Sequence, residues 1–374
     1  MGMHRILRLG SLGPDVRALQ EALALRSHPP GPLDGVYGEL TKAAVSAFQA
    51  AGKIKVDGVV GSETRGALAA RPAPAPATPC PPALDDGVLP EGIEGVWIHR
   101  LQAAIDLAGD VAHLVADLLA RRIGVVQIKA ADGRSLMNQA RLGEVVTALH
   151  AAGIRVVLWS WVWAVYYGKD GRPESPYHAS VEYLVDQARV LADQCRRHGC
   201  TGAVYANIEG EGTWSTSSAG TWGQRNIATF GSQAKADRAI AQRADAYLQA
   251  LRAELPGALL VVSTHGLASS QRLPWRELCE GSDVLAPQWY YPGAKGFAER
   301  VPTSASAWRK LGARRLRASG GAWKATSSSR PASEMPKLRA AVRSIGAGPG
   351  VDRGVDWWVY ELMTAEHLAA LAGA

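Results

Sequence analysis

The run Ala203-Val204-Tyr205-Ala206-Asn207-Ile208-Glu209 holds the residues best suited to acid chemistry. Period-two alternation puts Ala203, Tyr205, Asn207 and Glu209 on one face and Val204, Ala206 and Ile208 on the other. In a strand covered by helices the polar face points inward. A carboxylate there loses hydration, which is costly unless it is hydrogen bonded or functional, and the same loss raises its pKa toward the range a general acid needs. Glu209 is therefore the candidate proton donor; its alternative role is to close the strand by bonding a neighbouring loop.

Aromatic side chains cluster near the same strand ends. Trp159, Trp161 and Trp163 alternate in one run, Trp289, Tyr290 and Tyr291 end another, Trp323 follows a third, and Trp357 and Trp358 are adjacent. Rings of this kind stack on the apolar faces of pyranoses. The expected substrate contacts are Trp161, Tyr205, Gln288, Trp289, Tyr290, Trp323 and Trp358, with at least half of all the rings serving as ordinary core. The stretch 212–231, rich in Ser, Thr, Gly and Trp, reads as a lid with Trp214 and Trp222 touching glycan, or else as an extended loop that these two rings pin. Cys195, His198 and Cys200 are close in sequence but lack a fourth ligand at suitable spacing, so no metal is expected, nor any cofactor. The absence of a His-Glu-x-x-His segment also argues against a zinc peptidase or amidase acting on stem peptides.

These residues need a scaffold, and short apolar runs alternating with amphipathic stretches supply one. Strands are expected near 96–99, 125–130, 155–161, 203–209, 258–263, 284–290, 316–320 and 355–361, with helices at 110–122, 139–152, 178–198, 235–254 and 334–345. Eight such units favour a closed (β/α)8 TIM-type barrel, whose functional face lies at the C-terminal strand ends. An open doubly wound sheet is the runner-up, and no Gly-rich phosphate loop supports it.

The N-terminal segment differs. Asp34-Gly35-Val36-Tyr37-Gly38-Glu39-Leu40-Thr41 recurs as Asp57-Gly58-Val59-Val60-Gly61-Ser62-Glu63-Thr64. Each Asp-Gly is expected to open a tight turn, the later Gly to adopt a conformation closed to other residues, and Thr to cap the next helix. Val16, Leu19, Leu23 and Leu25, then Ala44, Val45 and Phe48, recur at helical spacing. The result is a small all-α module of three helices over residues 1–70. A Pro/Ala-rich spacer at 71–90 separates it from a catalytic domain at 91–374.

The chain has 374 residues and a formal net charge of +7. The basic residues form no dense run of the kind that tracks nucleic acid; diffuse basicity suits a polyanionic envelope instead. Neither a secretory h-region nor an 18-residue apolar run is visible. The expectation is synthesis in the cytoplasm, release to the wall by another agent, and a monomer. Four cysteines are too few and too scattered for a disulfide framework.

Two resemblances add to this. Residues 5–70, with the repeated Asp-Gly phrase, Leu9-Gly10-Ser11-Leu12-Gly13-Pro14-Asp15-Val16 before it and Phe48-Gln49 between the copies, resemble the peptidoglycan-binding domain found on many cell-wall hydrolases. The turns at Asp34, Tyr37 and Asp57 are then its candidate wall contacts, unless they serve turn geometry alone. Val126-Gln127-Ile128-Lys129-Ala130-Ala131-Asp132-Gly133 and Tyr205-Ala206-Asn207-Ile208-Glu209, with Gln288-Trp289-Tyr290, resemble strands of family 25 glycoside hydrolases, the lysozyme barrels. That resemblance implies a muramidase of the phage endolysin kind with Glu209 as acid. It departs from the family where Asn207 replaces an Asp and where Gly95-Val96-Trp97-Ile98-His99 lacks one. Such a hydrolase needs a second carboxylate, at about 5 Å for retention or about 6.5–9.5 Å for inversion. Asp132, Glu211 and Glu361 are the candidates, each with the alternative of capping a helix or loop. The route preferred over these makes the substrate's own N-acetyl group the nucleophile, with Asn207 orienting it through its amide. The competing expectation is a degenerate barrel that only binds or builds at the wall.

Overall fold

The computed structural model describes residues 5–24, 28, 30–31, 34–69, 92–208, 213–267, 272–290, 296–324, 329–345 and 351–372. Glu209, Glu211, Tyr291 and the spacer at 71–90 lie outside them. The chain divides into two compact units, Met1–Pro76 and Ala77–Ala374. Among the described residues no helix is long and apolar enough to cross a membrane.

The first unit has helices α1 (Pro14–Ala24), α2 (Glu39–Ala51) and α3 (Ser62–Ala69) around Leu7, Val16, Leu19, Leu23, Tyr37, Val45, Phe48 and Val60. Its repeat is built on two buried glutamines. Gln20 Nε2 donates to Asp34 Oδ1 (3.0 Å), Val36 O (3.0 Å) and Thr41 Oγ1 (3.1 Å), while its Oε1 accepts from Gly35 N (2.9 Å). Gln49 does the same with Asp57 Oδ1 (3.0 Å), Val59 O (2.9 Å), Thr64 Oγ1 (3.1 Å) and Gly58 N (2.9 Å). Three expectations change accordingly. Thr41 and Thr64 sit inside the first turns of α2 and α3 as acceptors for glutamine, and the cap position of α2 is Gly38 with no side-chain bond. The left-handed glycines are Gly35 (φ 74°) and Gly58 (φ 64°), directly after each Asp, while Gly38 is extended. Tyr37 is a core residue, 1% exposed, donating to Gly58 O (2.9 Å), so it is unsuited to gripping a wall polymer. Asp34 and Asp57 each also accept the amide two residues on, from Val36 and Val59 (2.9 Å both), and their carboxyls are held low by these bonds. Gln49→Leu strips a buried clasp of its centre. It should cost about 2 kcal/mol, read as amide exchange across 57–60 roughly thirtyfold faster.

The second unit is a (β/α)8 barrel. Its strands are β1 (Gly95–Ile98), β2 (Val125–Asp132), β3 (Arg155–Trp161), β4 (Ala203–Asn207), β5 (Leu259–His265), β6 (Val284–Gln288), β7 (Leu316–Gly321) and β8 (Val351–Trp358), each parallel to the next. β8 returns to β1, and β1 to β2, closing the cylinder. Helices Val111–Ala120, Gln139–Ala151, Val181–Arg197, Gln233–Glu254 and Met335–Ser344 fall where amphipathic spacing expects them. Leu101–Ala108, Thr221–Phe230, Trp275–Gly281, Gly296–Lys310 and Ala365–Ala372 were not anticipated.

Alternation along the strands sorts two apolar cores. Val204, Ala206 and Ile208 join the outer layer against the helices, while Ala203 and Tyr205 join Trp97, Val125, Val157, Trp159, Val261, Val284 and Ala286 inside the cylinder. Deep in this interior lies a charged knot. Arg317 donates from Nε and Nη2 to the two oxygens of Asp356 (2.7 Å each) and from Nη1 to Asp352 (2.5 Å), and Tyr205 OH donates to Asp356 Oδ2 (2.6 Å). Arg317 and Asp356 are wholly buried. β1 can approach because Gly95 has no side chain: a Cβ there would lie 2.2 Å from Asp356 Oδ1. Tyr205 is thus a core residue, 0% exposed, which corrects its expected role in substrate contact; burial, then Asp356, pushes its phenol far up.

Cys195, Cys200 and Cys279 are buried and, among the described residues, form no disulfide. Among the described residues no three His, Cys, Asp or Glu side chains are grouped to hold a metal ion.

Candidate functional site

The C-terminal rim collects strand-end side chains in one connected row. Register pairs Asp132 of β2 with Trp161 of β3, Trp161 with Asn207 of β4, Asn207 with Ser263 of β5, and His265 of β5 with Gln288 of β6. Asn207 is buried, and its Oδ1 accepts from Gln288 Nε2 (3.2 Å), which also reaches Ser263 Oγ (3.3 Å). Trp161 and Trp358 are half-buried at the rim. Asp132, Asn207, Trp161, Gln288 and Trp358 are therefore brought to one face by five different strands.

Beneath them lies a cation that the sequence reading passed over. Lys129 is 2% exposed, and its Nζ donates to Asp132 Oδ2 (2.7 Å) and meets His99 Nε2 at 3.2 Å. Because ammonium only donates, His99 Nε2 accepts and the ring proton belongs on Nδ1. Burial first, then Lys129, push His99 down to about 4, so the imidazole is neutral at ordinary pH. The ammonium also sits 5.3 Å from the Trp159 ring and 5.7 Å from that of Trp161, within cation–π range. Both Asp132 oxygens are engaged, since Oδ1 accepts from Trp163 Nε1 (2.7 Å). The rim thus presents one carboxylate held by an ammonium and an indole, a cross-strand carboxamide pair, and exposed ring surface. Period two already puts Gln127, Lys129 and Ala131 on one face and Gly95, Trp97 and His99 on another, so the signal for Lys129 and His99 was present in the sequence.

A neutral imidazole packed against an ammonium has a consequence for stability. In the unfolded chain histidine binds its proton near pH 6.5; in the fold it does so only near 4. The unfolded state therefore holds more protons between these values, and stability present above pH 6.5 is lost as pH falls toward 4. The thermal midpoint should drop over that window, and His99→Asn should flatten that part of the profile.

Other expected site residues go elsewhere. Glu361 lies in a turn past β8, where Oε1 accepts from His99 N (3.1 Å) and Arg100 N (2.7 Å) at the start of Leu101–Ala108. That is a capping role, although burial still raises its pKa. Trp289 turns outward into the helix layer, with Nε1 bonded to Ser304 Oγ (2.9 Å) and Gly266 O (3.2 Å). Tyr290 and Trp323 are nearly buried and pack edge to face at 5.4 Å. Trp214 is buried and donates to Val162 O (2.7 Å), so it pins its loop and touches no glycan. Trp222 is in Thr221–Phe230, half-buried, with Arg225 over its ring at 4.7 Å. Within that stretch residues 221–230 form a helix.

Residues 13–68 match the peptidoglycan binding domain family. A search of curated proteins finds no match. The SleB N-terminal domain is 32% identical, covering 18% of this chain and 93% of that one, with a TM-score of 0.18 over the whole chain. The α-L-fucosidase isoenzyme 2 of Paenibacillus thiaminolyticus aligns with a TM-score of 0.51 at 14% identity, over 75% of this chain and 48% of that one. The endo-1,4-β-mannanase of Rhizomucor miehei aligns at 0.50 and 10% identity, over 72% and 87%. At these identities the last two likenesses are of fold.

Proposed function

We propose that this chain is a peptidoglycan hydrolase: the N-terminal module holds the wall, and the barrel cuts a glycosidic bond of its glycan in the manner of a muramidase, with Glu209 as general acid. The observation that carries the reading is the inward, buried Asn207 at the C-terminal end of β4, two positions before Glu209 in the sequence, on the rim where Trp161 and Trp358 are half-buried. A carboxamide whose acceptor end is taken by Gln288 has its orientation set. That suits it to steer a substrate N-acetyl group onto the anomeric carbon while the acid protonates the departing oxygen. The match of residues 13–68 supports peptidoglycan as the polymer bound.

Mass spectrometry of fragments released from purified sacculi tests the reaction. Reducing muramic acid ends are expected; reducing glucosamine ends would move the cut to the other bond, and free stem peptides would replace the glycosidase reading altogether. A second reading has one observation in its favour. Both described candidate carboxylates are occupied, Asp132 by Lys129 and Trp163, Glu361 by backbone amides. A barrel that binds wall without cutting it would pellet with sacculi and release no reducing sugar at any protein concentration.

A further inference from the structure

Beyond the rim, a line of rings leaves the barrel mouth along the segment that follows β3. Trp161 and Trp163 have centroids 6.0 Å apart with planes inclined by 31°, and Tyr166 follows 6.3 Å from Trp163 at 87°. All three side chains are half-buried.

The line is held rigidly. Gln187, buried beneath it, accepts from Trp163 N (2.9 Å) and donates to Trp163 O (2.8 Å). Asp132 holds the indole edge. Gly133 clears the way for that ring, because a Cβ there would stand 2.9 Å from Trp163 Cδ1. Tyr166 is fixed on both sides of its main chain, donating to His178 O and accepting from Glu174 N (3.1 Å each). Partly exposed aromatics clamped this firmly lose little freedom on binding, which favours a ligand that meets them in their existing positions.

We propose that Trp161, Trp163 and Tyr166 form an extended glycan subsite that takes successive sugar units of a strand running outward from the mouth. The occupant is a β-linked chain of N-acetylated hexosamines: its pyranose faces are apolar enough to stack, and the ring spacing approaches the advance per sugar along such a chain. The carboxylate of Asp132, held by Lys129 and Trp163, fixes the second ring and leaves recognition of the sugar to the ring faces. The subsite rests on the glycan-directed reading of the barrel and gives it a direction, from the rim over β3. It predicts a preference for long strands over short ones.

All twelve tryptophans lie at or after residue 97, so their fluorescence reports the barrel and not the N-terminal module. Titration of the intact chain with chitooligosaccharides of two and six units is the test. The parent should bind the longer ligand more tightly. Trp163→Ala should weaken the six-unit ligand about tenfold and the two-unit ligand little, collapsing the length preference. Tyr166→Ala, on an outer loop, should do so by about threefold, and it carries the test alone if Trp163→Ala fails to fold by circular dichroism. Unchanged six-unit affinity in a folded variant overturns the subsite, as does a parent without length preference. Glu209→Gln separates the two readings: its full activity would remove the proposed acid, while the subsite stands or falls on the titration.

Discussion

Glu209→Gln is expected to lower release of reducing sugar from sacculi by about 10²–10⁴-fold, with sedimentation of the chain on sacculi unchanged. The amide keeps the shape and hydrogen-bonding size of the acid and removes only the proton to be given. Wall retention is assigned to the other unit, through residues 13–68, and should not notice. Asn207→Asp is the informative companion. Under substrate assistance it should lower activity by losing the amide; if a second carboxylate at that position is what the reaction wants, it should raise it. Undiminished release by Glu209→Gln would sink the acid assignment.

Arg317→Met should lower the barrel's stability by about 3–5 kcal/mol. The cause is less the lost bonds than what they leave behind. Asp356 and Asp352 would remain buried with no cation, and Asp356 would keep only the Tyr205 hydroxyl (2.6 Å). Adding Asp356→Asn to Arg317→Met should recover part of the loss by removing one of the stranded charges, an effect outside simple additivity because the groups touch. Urea unfolding followed by tryptophan fluorescence measures both. Trp97 and Trp159 share the interior with Tyr205 and report its opening. A loss below about 1 kcal/mol would mean that water reaches the carboxylates on replacement.

Much of this architecture was legible without coordinates. Seven of the eight strands begin or end within two residues of where apolar runs and alternation place them, and the face split along β4 follows from period two alone. Misassigned residues share one cause. Trp289 was read from its type at a strand end, Tyr205 from its face of β4 and Trp214 from a Trp-bearing loop, yet none of these signals says whether a ring looks toward the mouth, the helix layer or the floor. Glu361 was placed in a strand that instead ends at Trp358 and turns, which sends its carboxylate to cap the first barrel helix. In the small module the Asp-Gly turns were evident. The glutamines that clasp them lie 14 and 8 residues earlier, a distance no turn rule spans.

By itself, the amino-acid order determined the two-part plan, the repeated turn, the eightfold alternation and the polar face of β4, because each depends on periods of two or about 3.6 residues and on neighbours close in the chain. Tertiary structure alone decided that Lys129 meets His99, 30 positions away, and that Arg317 neutralises Asp352 and Asp356, 35 and 39 positions away. Those pairings depend on barrel closure and strand stagger, which set distances between residues the chain keeps far apart.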